Sequence, residues 1–179
     1  MKFNILLNKR IRNIFLIMWP PFGETHESAA SISVGICFFD LLKMYVISTD
    51  KEDNWSPKIT IEDEPKSSYS HLEFPLRLRK WQSCELDAII DYEYYDFTRS
   101  KKFCEIVGQN ILDVEFISVL NDKPFGVKLK FENDFLMLTP ISDGSTVETK
   151  NFGLISNINH FLNFGEINFS SIRQHDKAE

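Results

Sequence analysis

The chain has 179 residues, enough for one sizeable domain or two small units on a shared core; at 43% hydrophobic and 26% charged it is neither disordered nor membrane-embedded. A formal net charge of -6 argues against non-specific nucleic-acid binding, which needs basic surface, and favours basic partners at long range. Sixteen Phe against 7 Gly lean the composition toward sheet.

The N-terminus has the outline of a signal peptide, with Lys9-Arg10-Ile11-Arg12 before Ile14-Phe15-Leu16-Ile17-Met18-Trp19. The apolar run is short, ends in Pro20-Pro21 and lacks a following small-x-small cleavage site. A second segment of the same character also lies mid-chain. Residues 2–18 align without a gap on 102–118, with Lys2/Lys102, Phe3/Phe103, Ile11/Ile111 and Ile17/Ile117 identical. After each copy comes a similar run, Ser33-Val34-Gly35-Ile36-Cys37-Phe38 and Pro124-Phe125-Gly126-Val127-Lys128-Leu129. A duplicated structural unit is therefore expected.

In the first unit, strands are expected near 11–19, 31–39, 43–49 and 58–62. In the second, Leu112, Val114 and Phe116 alternate with Asp113 and Glu115, and Val127, Leu129 and Phe131 alternate with Lys128, Lys130 and Glu132. Asn121-Asp122-Lys123-Pro124 and Ser142-Asp143-Gly144-Ser145 read as turns, with a third strand from Phe135 to Ile141 and a fourth over Thr146–Thr149. Gly35 and Gly126 read as backbone punctuation at strand starts. The expected fold is α+β, predominantly antiparallel β, with two duplicated β-meander units packed together and one or two short helices. The first meander spans 1–64, a connecting basic then acidic segment 65–100, and the second meander 101–150. The C-terminal segment 151–179 is expected to be partly helical and frayed at its end, with Ile155, Ile158, Phe161 and Leu162 at helical spacing.

The connecting segment holds the most unusual stretch, CELDAIIDYEYYDF over 84–97, with five carboxylates, three tyrosines and no basic residue. Two periodicities compete for it. A helix capped by Ser83 would carry Leu86, Ile89, Ile90, Tyr94 and Phe97 as its stripe, leaving Glu93 inside that stripe. A strand places Leu86, Ala88, Ile90, Tyr92 and Tyr94 on one face and acids on the other, and fits the count better. Leu76-Arg77-Leu78-Arg79 alternates too, so a hairpin would pair Arg77 and Arg79 with Glu85 and Asp87. Asp91, Glu93 and Asp96 lie beyond those arginines and stand without an evident internal partner. With Tyr95, they are the candidate surface for an external one. A second acidic patch is the loop Asp50–Trp55, followed by Glu62-Asp63-Glu64; in it Asp53 and Trp55 combine charge with an aromatic anchor, although a solvated loop is the simpler reading.

Catalytic signatures are missing from the sequence. There is no nucleophile elbow, phosphate-cradling glycine loop or His–acid pair at useful spacing, and Asp91 with Glu93 on one strand face would ordinarily be solvated. Cys37, Cys84 and Cys104 have neither metal nor redox spacing and read as buried thiols of a reducing cytosol. No metal or cofactor is expected; His71-Leu72-Glu73 lacks ligand spacing, and the acidic loops lack the regular oxygens of a calcium loop.

A small, sheet-rich, duplicated, acidic chain with a Tyr/Asp/Glu segment resembles the bacterial immunity proteins that accompany secreted polymorphic or contact-dependent toxins. The resemblance lies in general character over the whole chain. It implies a non-enzymatic, cytoplasmic binding protein, monomer or homodimer, that neutralises a basic toxin domain such as a nuclease. It implies no nucleic-acid or membrane partner. The alternatives are a self-associating scaffold, whose exposed meander edge pairs with itself, and a small enzyme using paired carboxylates.

Overall fold

The computed structural model describes residues 3–24, 31–49, 56–86, 91–120, 122–141, 144–154 and 158–175. After a 3-10 turn at Phe3–Leu6 come strands β1 (Ile11–Trp19), β2 (Ser31–Phe38), β3 (Met44–Thr49) and β4 (Pro57–Glu62). The short β5 (Tyr69–Ser70), helix α1 (Phe74–Gln82) and β6 (Glu93–Asp96) follow. The second half holds β7 (Asp113–Val119), β8 (Gly126–Lys130), β9 (Phe135–Leu138), the small pair β10 (Pro140–Ile141) and β11 (Gly144–Ser145), then β12 (Val147–Thr149) and β13 (Phe152–Leu154). A helical turn α2 (Ile158–Phe161) leads to β14 (Ile167–Ser171) and a last turn α3 (Ile172–His175).

These strands form two six-stranded sheets, ordered β4-β3-β2-β1-β6-β5 and β13-β12-β9-β8-β7-β14. All neighbours run antiparallel except β5 with β6. The fold is thus α+β and predominantly antiparallel β. No helix among the described residues is long and apolar enough to cross a membrane.

Each meander buries apolar side chains on both faces. In the first sheet Ile14, Leu16, Val34, Ile36 and Ile47 face the main core, while Phe15, Ile17, Cys37, Met44 and Val46 cluster on the opposite face. In the second, Val114, Val127, Leu129, Leu136 and Leu138 join that same core, and Ile117, Val119, Phe125 and Met137 form a separate outer cluster. One continuous core therefore draws on both sheets.

The segments leading into β1 and β7 meet in four backbone hydrogen bonds that interchange under the 100-residue offset. Asn8 N–H to Ile111 C=O (2.8 Å) corresponds to Gly108 N–H to Ile11 C=O (2.9 Å). Ile11 N–H to Gln109 C=O corresponds to Ile111 N–H to Lys9 C=O, both 3.0 Å, and Arg10 and Asn110 bridge between them. Asn8 (φ 61°) and Gly108 (φ 84°) both turn in the left-handed region, where Asn is among the few tolerated side-chain-bearing residues. The likeness extends to this junction and to the order of the first three strands in each sheet; beyond them the sheets differ, the first completed by β4, β6 and β5 and the second by β12, β13 and β14.

The connecting segment departs from expectation. Residues 74–82 form a helix, not a strand, because Phe74, Leu78 and Trp81 recur at i, i+4 and i+7 and all are buried, while Leu76 is exposed. Pro75 fits the first turn, where its missing N–H costs nothing. Ser83 and Cys84 then return their N–H groups to Arg79 and Trp81, with Cys84 turning at φ 55°. Only Glu93–Asp96 of the acidic stretch forms a strand; residues 87–90 lie outside the described residues.

Two smaller expectations also shift. The strand begun at Phe135 leaves its sheet at Thr139, whose hydroxyl lies 2.7 Å from that of Thr146. The β10–β11 pair then reaches the first sheet, where Thr49 N–H donates to Ser145 Oγ at 3.0 Å and Thr49 Oγ1 donates to Gly144 C=O at 3.1 Å. A Cβ at Gly144 would stand 2.5 Å from Ile32 N, so only glycine permits this approach. Gly35 lies inside β2 rather than at its start, packed so that a Cβ would meet Met44 Sδ at 2.5 Å.

Candidate functional site

Strand β6 lies between β1 and β5 and is covered on both faces, so its acids and tyrosines are sorted by parity. Glu93 and Tyr95 point to the α1 side, and Tyr94 packs with Phe15 and Ile17 on the other. This reverses the expectation that the even positions face the main core. Tyr95 is wholly buried, with its ring edge-on to Phe74 at 5.0 Å. Its hydroxyl donates to Glu93 Oε2, and burial pushes its ionisation well above the ordinary tyrosine range, reinforced by the Glu93 hydrogen bond.

Glu93 is 8% exposed and is held from the other side by Arg77 of α1, whose Nε donates to Oε1 at 3.1 Å and whose terminal nitrogen forms a close ion pair with the same oxygen. The Arg77 guanidinium also lies over the Tyr69 ring at 3.8 Å. Among the described residues the partner of Arg77 is thus Glu93, not Glu85, because a helix and a strand meet here instead of a hairpin; Asp87 lies outside the described residues.

These groups line a groove of about 830 Å³ at the edge of the first sheet. Because β5 pairs only with Tyr95 and Asp96, the edge of β6 at Glu93 and Tyr94 faces the groove. The opposite wall is chain 63–68, which connects β4 and β5 at opposite edges of the sheet and brings Glu64 against Arg12 and beside Cys37. Exposed lining residues include Asp63, Lys66, Asp91 and Tyr92. Asp63 is ion-paired with Lys43, and that hydrogen bond holds its carboxyl below the usual range. Among the buried lining, Trp81 is 3% exposed, and its indole N–H has no hydrogen-bond partner among the described residues. Such an orphan donor costs free energy until an acceptor reaches it.

Beside the groove, three large aromatics stand partly in solvent. Trp19 (38% exposed) meets Tyr92 (43%) edge-on at 5.0 Å, and Phe22 (43%) leans on Trp81 at 6.3 Å.

Of the sequence-derived candidates, Asp91 belongs to this surface: it is exposed, lines the groove and accepts its neighbour Tyr92 N–H at 2.7 Å. Glu93 also lines the groove, but its carboxylate is taken up by Arg77 and Tyr95, and the wholly buried Tyr95 is not part of the lining. Asp96 is half-buried and accepts the Thr98 N–H at 2.8 Å, which ties the strand end. Asp53 and Trp55 lie outside the described residues. Asp63 lies in the acidic run Glu62-Asp63-Glu64 of the second patch, while Trp19, Phe22 and Tyr94 were not singled out because the fold, not local spacing, brings them to one edge.

Cys37 is buried, but Cys84 and Cys104 are exposed, contrary to the expectation of three buried thiols. No group of three His, Cys, Asp or Glu among the described residues is placed to hold a metal ion. Comparison of the chain with family models, curated proteins and solved structures finds no match.

Proposed function

We propose that the chain is a non-enzymatic binding protein that captures a basic protein partner at the groove beside β6, and that it serves in the cytoplasm as the immunity protein of a bacterial toxin. The observation carrying this reading is the juxtaposition of exposed Asp63 and Asp91 with the exposed rings of Trp19, Phe22 and Tyr92. Carboxylates at the rim raise the rate of encounter with a basic surface, and desolvated aromatics supply the lasting contact. The net charge of -6 acts in the same direction.

The test is protection. Any secreted protein encoded next to this chain is expressed alone and together with it in a sensitive cell. Restored growth and a purified stoichiometric complex support the reading, and Asp63→Lys with Asp91→Lys should abolish both while leaving the fold intact. Protection that survives this double reversal would move the interface elsewhere. No protection and no complex with the wild-type chain would remove the immunity reading.

Self-association is the second reading, favoured by the exposed Leu120, Leu162, Phe164 and Phe169 around edge strand β14. Light scattering that gives twice the chain mass, unchanged by the acid reversals, would support it.

A further inference from the structure

We propose that a second cavity, on the other side of α1, binds a small carboxylate carrying an apolar tail. This cavity holds about 550 Å³ and lies where α1, the chain after β6 and strand β13 meet. Its apolar lining includes Phe74, Leu78, Phe97 and Phe152, whose rings and methyls continue into the main core. Phe97 stands 5.8 Å from Phe74 and 6.2 Å from Phe152 by ring centres, so these aromatics form one wall.

Its charge pattern opposes that of the molecule. Arg79 and Lys102 line it, with His71 beside Phe97, and no Asp or Glu among the described residues does, although the chain carries 26 acids against 20 Lys and Arg. Lys102 Nζ lies 4.4 Å from the centre of the Phe152 ring, which holds the ammonium against the apolar wall. Arg79 is steadied through its Nε, which donates to the Pro75 carbonyl at 3.2 Å. Of the acids next to the lining in sequence, Glu73 accepts the Ser70 N–H and Asp96 the Thr98 N–H, both at 2.8 Å.

A cavity of this size suits a small molecule. Two cations at an aromatic wall favour a ligand with one anionic end and one apolar body. A neutral hydrocarbon leaves the cations without a counter-charge, and a fully polar anion leaves the rings unused. A carboxylate satisfies the guanidinium fork and the ammonium together. It could be that of a free acid or the C-terminal end of an apolar peptide.

The experiment titrates the full chain with decanoate below its micelle concentration, with N-acetyl-Leu-Phe as the free acid, and with decanol and acetate as controls. Saturable binding of either acid is expected, with amide shifts at Leu72, Ser100 and Gly153 in two-dimensional NMR, and the tighter acid identifies the source. Lys102→Glu and Arg79→Glu should each weaken it by about tenfold or more with the thermal midpoint retained. Decanol and acetate should bind at least about tenfold more weakly than the preferred acid. Three results would each overturn the proposal: no binding of either acid at about 1 mM, decanol binding as tightly as the acids, or unchanged affinity in both charge variants.

Discussion

Glu93 and Asp91 lie two residues apart in one acidic run, yet their surroundings give them opposite roles. Glu93 is desolvated and compensated by Arg77 and Tyr95, so removing it leaves a half-buried guanidinium and the buried Tyr95 hydroxyl without their carboxylate. Glu93→Ala is expected to lower unfolding free energy by about 3–5 kcal/mol. Asp91→Ala, at an exposed position, should stay within about 0.5 kcal/mol. Urea denaturation of both variants is the measurement, and equal small losses would disprove the buried network. Cys37 gives a second residue-scale expectation. Burial, and next the Glu64 carboxylate, push its thiol from 9.0 up to about 12. The folded state therefore keeps a proton that the unfolded state releases, so this contribution is fully present below pH 9 and is lost as pH rises toward 12. Tyr95 acts in the same direction. At neutral pH a maleimide should label Cys84 and Cys104 in the native protein and reach Cys37 only on unfolding. Native labelling of Cys37 at the same rate as the other two would contradict its burial.

At the scale of elements, α1 is where helix and strand readings of one segment diverge most sharply. If 74–82 is helical, Leu78→Ala leaves a cavity in the core and costs about 2–5 kcal/mol. Leu76→Ala, on the solvent side, changes stability by no more than about 0.5 kcal/mol. A strand would put Leu76 and Leu78 on one face and make the two losses alike, so calorimetry on this pair decides the matter. The alternation Leu76-Arg77-Leu78-Arg79 suggested a strand because it was read over too short a window; Phe74, Leu78 and Trp81 carry the helical period once Phe74-Pro75 is included as the helix start. The four strands of the first meander were legible to within a residue or so, since their apolar runs end at turn residues. The face of β6 was not. A strand covered on both sides has no solvent face, so period-two alternation could not say which set of residues meets α1. Asp91 and the acidic run at Asp63 were legible, but not as one site, since the sheet order brings Asp63 and Asp91 to one groove with Trp19 beside it, and local sequence does not encode that order.

For the molecule as a whole, the decisive feature is that both sheets contribute to one apolar core, joined by the reciprocal backbone bonds around Ile11 and Ile111. If that core couples them, the halves unfold together despite lying apart in sequence. The tryptophans make this measurable: Trp19, Trp55 and Trp81 all precede the second meander, so fluorescence reports on the first half alone. Leu129 is wholly buried in β8 of the second sheet, and Leu129→Ala should remove about 2–5 kcal/mol of stability. In a coupled molecule the tryptophan midpoint in urea falls by the same amount as the far-ultraviolet circular dichroism midpoint, and the two curves stay superimposed. Independent halves would leave the fluorescence midpoint where it was and split the dichroism into two steps. Coupling of this kind also bears on the groove, because α1 packs into the shared core through Phe74 and Leu78 while its Arg77 holds Glu93. A substitution in the second sheet that loosens the core should therefore weaken capture at the groove only in proportion to the lost fold, whereas Asp63→Lys with Asp91→Lys should weaken capture at full stability.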